Sequence, residues 1–103
     1  MRKTKIVCTI GPSCSDEETL TKMCKAGMDV ARLNFSHGTY AEHLKRITAV
    51  KNVRDTLNLP VAIMLDTKGP EYRIGVFKNG KEEIKEGDTF TFTTDEIEGD
   101  KTK

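Results

Sequence analysis

The sequence has almost no excess charge: 17 Lys and Arg stand against 16 Asp and Glu, a formal net charge of +1. A general nucleic-acid binder shows a basic stripe or patch, so no nucleic-acid partner is expected. Cysteine is scarce, and Cys8, Cys14 and Cys24 form an odd set with no Cys-x-x-Cys pair. A reducing cytosol fits them better than a disulfide framework does. The apolar run in the opening MRKTKIVCTIG is too short for a signal peptide and far too short to span a bilayer. No membrane partner is expected, and the protein is placed in the cytoplasm. Internal repeats, low-complexity segments and the P-loop, HExxH and nucleophile-elbow motifs are also missing. What remains is 103 residues, enough for one small domain with a modest core.

Within that length, apolar runs and helical periods alternate. KIVCTI, residues 5–10, is β-branched and predicts a strand buried on both faces, stopped by Gly11-Pro12. Ser15 stands three residues before Glu18, a capping-box spacing that starts a helix with Leu20, Met23 and Cys24 on one face and Gly27 at its end. A second strand is expected over 28–33. Thr39 and Glu42 repeat the capping-box spacing, and Tyr40, Leu44, Ile47, Val50 or Lys51, Val53 and Leu57 follow as a stripe as far as Asn58. Pro60 forbids continuation, and VAIML, residues 61–65, is a third buried strand. Strand, helix, strand, helix, strand with short loops predicts two βαβ crossovers on a parallel sheet, an α/β fold.

After Gly69-Pro70 the texture changes. Residues 74–78 read as an edge strand, Asn79-Gly80 as a turn, and residues 82–85 and 89–94 as extended segments around a turn at Glu86-Gly87-Asp88. TFTFTT alternates with period two, as an antiparallel strand with one wet face does. Residues 95–103 are polar and suggest no element. Three parallel strands leave open sheet edges, which proteins usually cover, and a closed (β/α) barrel needs roughly 250 residues. The chain is therefore expected to be the front end of something larger.

The residues that look like a site cluster where such a fold places ligands, at and beyond the carboxyl ends of parallel strands. Arg32 and Asn34 end the second strand, Ser36 and His37 lie in its loop, and Asp66, Thr67, Lys68 and Arg73 follow the third. Guanidinium groups suit phosphate in bidentate geometry, and hard oxygen donors suit a non-transition cation. Together they point to phosphoryl chemistry. Taken singly, each has a plainer reading. Arg32 serves as well for a surface ion pair, Asn34-x-Ser36 for turn chemistry, and Asp66 for a turn cap. His43 reads as a solvated helix residue, Cys8 and Cys24 as core packing, and Cys14 as loop filler.

The segments KTKIVCTIGPSCSDEETL, ARLNFSHG and LDTKGPEYR, in this order and spacing, resemble the N-terminus of the pyruvate kinase family. The likeness runs from Lys3 to Arg73 and continues less specifically through EGDTFTFTTD. It implies a partial (β/α)8 TIM barrel: residues 1–73 as the first three strands and two helices of the barrel domain, and residues 74–103 as the opening of a small inserted β-rich domain. It implies that Arg32 contacts the phosphoryl group of phosphoenolpyruvate and Arg73 the phosphate in transfer. It implies that Asn34, Phe35, Ser36 and His37, together with Arg73, border the nucleotide, ADP or ATP. It further implies that Asn34, Ser36, Asp66 and Thr67 hold potassium, Thr67 through its backbone carbonyl. In the family the magnesium ligands and a catalytic lysine lie beyond the stretch matched here, so half a site and no activity are expected of this chain alone. A homotetramer is implied for the parent. Tyr72, where the family usually has an aliphatic residue, and Cys14, where a small one is common, depart from the pattern without touching these roles. The alternatives are a stand-alone phosphate- or cation-binding module without catalysis, and an inert truncated product.

Overall fold

Val7–Thr9 (β1), Val30–Asn34 (β2) and Ala62–Asp66 (β3) form one three-stranded sheet in the order β1-β2-β3, both pairings parallel. The structure, a computed structural model, describes residues 2–103 and divides into two compact units between Gly69 and Pro70. In the first unit, helices Glu17–Ala26 (α1) and Tyr40–Leu57 (α2) connect successive strands. This is the predicted order, with β1 narrower than residues 5–10 and β2 and β3 ending one residue later than expected.

Register decides what each face of the sheet carries, because laterally paired residues in a parallel sheet point the same way. Cys8, Ala31 and Ile63 form one row, and Leu33 with Leu65 the next on that face. Ala31 and Leu33 are fully buried in a core with Leu20 and Cys24 of α1 and Ala49, Val50 and Val53 of α2. The opposite face carries Val7, Val30 and Ala62, then Thr9, Arg32 and Met64, then Asn34 and Asp66. The expectation of strands buried on both faces is not met: Val7 is 49% and Met64 42% exposed. Both helices pack on the face of Ala31 and Leu33, which leaves the polar rows uncovered by either helix.

The helix ends follow local chemistry. The cap of α1 is Asp16 rather than Ser15: Thr19 N–H donates to Asp16 Oδ2 at 2.8 Å. Ser15 is spent closing the 3-10 turn Pro12–Cys14, its hydroxyl donating to Pro12 O, and the carboxylate one residue later has the same three-residue reach. Gly27, at φ 116°, ends the helix by returning its N–H to Met23 O and Cys24 O. For α2 the predicted capping box forms in full, with Glu42 N–H donating to Thr39 Oγ1 and Thr39 N–H to Glu42 Oε2.

The inward face of α2 keeps Ile47, Val50, Val53 and Leu57 of the expected stripe but departs from it at the N-terminal end of the helix. Tyr40 and Leu44 are 86% and 65% exposed, while His43 is buried along with Ala49, Val50 and Val53. An apolar residue at helical spacing marks a face only where the neighbouring elements reach it: Val50 and Val53 meet the core, whereas near the start of α2 it is His43 that meets the 34–38 loop. Of the cysteines, Cys24 is buried and Cys8 packs against the core, as expected. Cys14 is more than filler: its Sγ accepts from Gly11 N–H and also packs on the core.

In the second unit the expected strands over 74–78 and 89–94 are not formed, and residues 82–85 form none. The described residues hold a single bridge, Phe77 to Gly99, closed by Lys78 N–H to Gly99 O and Gly99 N–H to Val76 O. The polar tail expected to take no element therefore supplies the bridge. Both turns are present, with Gly80 N–H bonded to Phe77 O and Asp88 N–H to Lys85 O. A turn needs only its own four residues, whereas a ladder needs a partner strand.

Candidate active site

The site grows from one row of the sheet. Thr9, Arg32 and Met64 are register neighbours, with Asn34 beside Asp66 one step further along the same face. Arg32 lies in the middle strand, so its side chain has a neighbour on each side. Nη1 donates to Thr9 Oγ1 at 2.8 Å, and Nε (2.9 Å) and Nη2 both donate to Asp66 Oδ2. A guanidinium has five N–H donors; these contacts use three and hold its plane, and the other two have no partner among the described residues. Asp66 Oδ1 likewise accepts no hydrogen bond among them. The group is neither sealed nor free, with the side chains of Arg32 and Asp66 29% and 43% exposed.

Beyond β2 the chain turns sharply on Asn34. Its Oδ1 accepts from Ser36 N–H at 3.1 Å and its carbonyl from His37 N–H at 3.3 Å, an Asx-type turn. Phe35 N–H reaches across to Asp66 O at 2.9 Å and ties this turn to the end of β3. The structure thus brings Arg32, Asn34, Phe35, Ser36 and Asp66 to one strand-end edge, with His37 in the same loop and Thr67 next in sequence after Asp66. Arg73 belongs to the second unit, where Nε and Nη2 donate to Glu71 at 3.1 and 3.0 Å. That hydrogen bond first, and the carboxylate's charge second, raise the Arg73 pKa above the usual arginine value.

The donor set near Asn34 and Asp66 is oxygen throughout: carboxylate, amide and hydroxyl. No group of three or more His, Cys, Asp or Glu able to hold a metal occurs among the described residues. Oxygen donors with one carboxylate suit a weakly held hard cation such as potassium, so these residues fit that ion.

Sequence reasoning missed two residues here. Thr9 was read only as part of a strand, although its place at the end of β1 was a usable signal once the sheet is parallel. His43, read as a solvated helix residue, is 2% exposed and inserts under the 34–38 loop. Its Nε2 lies 2.5 Å from His37 O, and its ring stacks on Phe35 with centroids 4.2 Å apart and planes 15° apart. Spacing along α2 carries no hint of this contact, because it depends on where the preceding loop folds.

Comparison with known proteins supplies the wider frame. The family model described as the pyruvate kinase barrel domain matches residues 1–103. A pyruvate kinase of Staphylococcus saprophyticus is 56% identical over 99 residues, covering 96% of this chain and 17% of that protein. One of Clostridium acetobutylicum is 54% identical over 104 residues, covering 100% of this chain and 22% of that protein. The crystal structure of a pyruvate kinase from Cryptosporidium parvum superimposes with a TM-score of 0.69 at 49% identity, covering 78% of this chain and 16% of that one. The chain therefore spans between 17% and 22% of the length of these two curated relatives.

Proposed function

The chain belongs to the pyruvate kinase family, and from that premise we propose that it provides part of the site that moves a phosphoryl group from phosphoenolpyruvate to ADP, giving pyruvate and ATP. The observation that carries this reading is the guanidinium of Arg32, fixed by Thr9 and Asp66 with two N–H donors to spare. A planar donor held before the ligand arrives loses little freedom on binding phosphate. It also needs no reorganisation as charge shifts on the transferring group. The bond to the enol oxygen breaks, the bond to the terminal phosphate oxygen of ADP forms, and the enolate product takes up a proton to become pyruvate.

In this proposal Arg32 contacts the phosphoryl group and Arg73 the phosphate in transfer. Asn34, Phe35, Ser36 and His37 border the nucleotide, and Asn34, Ser36, Asp66 and the carbonyl of Thr67 hold potassium. Potassium and magnesium, when bound, supply positive charge where the transferring group carries its negative charge. Asp66 has two tasks: Oδ2 orients Arg32, and Oδ1 is available to the cation. Residues 1–73 are assigned to the start of a (β/α)8 barrel and residues 74–103 to the opening of an inserted β-rich domain. A cytoplasmic homotetramer is proposed for the whole protein. No helix among the described residues is long and apolar enough to cross a membrane. A stand-alone binding module is disfavoured, because the relatives matched along nearly the whole chain are themselves named pyruvate kinases.

The test is a lactate-dehydrogenase-coupled assay on full-length protein carrying this sequence. Turnover of phosphoenolpyruvate and ADP should require both potassium and magnesium, and the 103-residue chain alone should give background. No turnover by the full-length protein with saturating substrates and both ions would overturn the proposal.

A further inference from the structure

We propose that His43 is the positioning residue of the 34–38 loop: from α2, its imidazole fixes the His37 carbonyl and the Phe35 ring together and so preforms the loop before ligand binds. The inference rests on the reading of that loop as the border of nucleotide and cation, and adds to it a residue outside the loop.

The chemistry of the ring carries the argument. A carbonyl oxygen offers only lone pairs, so the nitrogen 2.5 Å from His37 O must carry a proton. In the neutral ring that makes Nδ1 the acceptor, and Nδ1 is buried with no partner among the described residues. A buried, unpartnered ring nitrogen costs free energy that an apolar side chain would avoid. Phenylalanine would fill the same space and stack on Phe35 as well as imidazole does. What histidine adds, against that cost, is one donor aimed at the loop backbone.

The surrounding geometry shows how closely the loop is held. Gly38 sits at φ 77°, and a Cβ there would lie 3.0 Å from Glu42 Oε2 and 3.4 Å from His43 Nε2. The Asn34 turn fixes the start of the loop, and the Thr39–Glu42 box fixes the residue after it. The contact from His43 to His37 O holds the middle, so the backbone of 34–39 is tied at three places, two of them, Glu42 and His43, by side chains of α2 that have no assigned ligand. A loop held this way lowers the ordering cost of binding.

Two substitutions separate the donor from the ring. His43→Phe keeps volume and stacking and removes the N–H, whereas His43→Gln keeps an N–H at about the reach of Nε2 and removes the ring. In full-length protein, His43→Phe should raise the KM for ADP and the half-saturating potassium concentration about fivefold to tenfold, the worth of one hydrogen bond. kcat should fall by less than KM rises, and the melting temperature should not drop. His43→Gln should bring both constants back to within about twofold of wild type, even where it melts lower. Wild-type constants for His43→Phe would overturn the proposal and leave His43 as core filler. A long-range proton–nitrogen NMR spectrum of the unmodified 103-residue chain should show the Nε2–H tautomer at His43; the Nδ1–H tautomer would overturn the proposal without any variant. Asn34→Ala separates the two layers of inference. If it leaves both constants unchanged, the reading of the loop fails; if it raises them and His43→Phe does not, only the role of His43 fails.

Discussion

Arg32 and Asp66 meet across neighbouring parallel strands, and a single carboxylate oxygen, Asp66 Oδ2, accepts from both Nε and Nη2 of the guanidinium. The pair ties together two residues assigned to different partners, the phosphoryl group and the cation. Its side chains are 29% and 43% exposed, and ion pairs with that access to water contribute roughly 0–1 kcal/mol to folding. Orientation, more than stability, is what the contact provides.

That coupling has a kinetic signature. In the full-length protein, Arg32→Lys keeps the charge but loses the fork, and kcat should fall about a hundredfold, on the order of 3 kcal/mol of transition-state stabilisation. Asp66→Asn should chiefly raise the potassium concentration needed for half-maximal activity. Because the residues share a contact, the double variant should fall short of the summed losses by roughly 1 kcal/mol. Additive losses would show that the pair does not act as a unit, and wild-type behaviour of Arg32→Lys would remove it from the phosphate.

The exposed N-terminal part of the α2 stripe predicts a contrast in stability. Leu33 is fully buried and Leu44 is 65% exposed, although both are apolar and chemically identical. Leu33→Ala should cost about 2–5 kcal/mol, a large share of what a small unit possesses. Leu44→Ala should stay within about 0.5 kcal/mol. Urea titrations of the 103-residue chain followed by circular dichroism check both; equal losses would contradict the packing described.

The capping box predicts a pH dependence. The backbone N–H of Thr39, first among the causes, holds the Glu42 carboxyl below the usual glutamate range. The folded state therefore binds this proton less tightly than the unfolded one. The stabilisation is complete above the ordinary value of about 4.3 and is lost as pH falls through the lower folded value. Asp16, lowered by the backbone N–H of Thr19, acts in the same direction. Thermal midpoints between neutral pH and pH 3 should fall less steeply for Glu42→Gln than for wild type; parallel curves would show that the box carries no linked proton.

The sequence by itself determined whatever depends on neighbours in the chain. The strand–helix–strand order, the Thr39–Glu42 box, the glycine end of α1 and the turns at 77–80 and 85–88 are interactions within a few residues. Such interactions are set by residue type and spacing alone. The rule that ligands meet the carboxyl ends of parallel strands grouped Arg32, Asn34 and Asp66 from strand order alone, and the register of β2 against β3 does bring these three side by side. Tertiary structure decided the rest. Asp16 displaced Ser15 as a cap because the preceding turn occupied the serine. His43 went inside while Tyr40 and Leu44 stayed out, because the sheet and the 34–38 loop reach one side of α2 and not the other. Thr9 became a support for Arg32 only through the register of β1 against β2. The alternating TFTFTT stretch formed no strand, since period two specifies an extended backbone and not the neighbour that must hydrogen-bond to it.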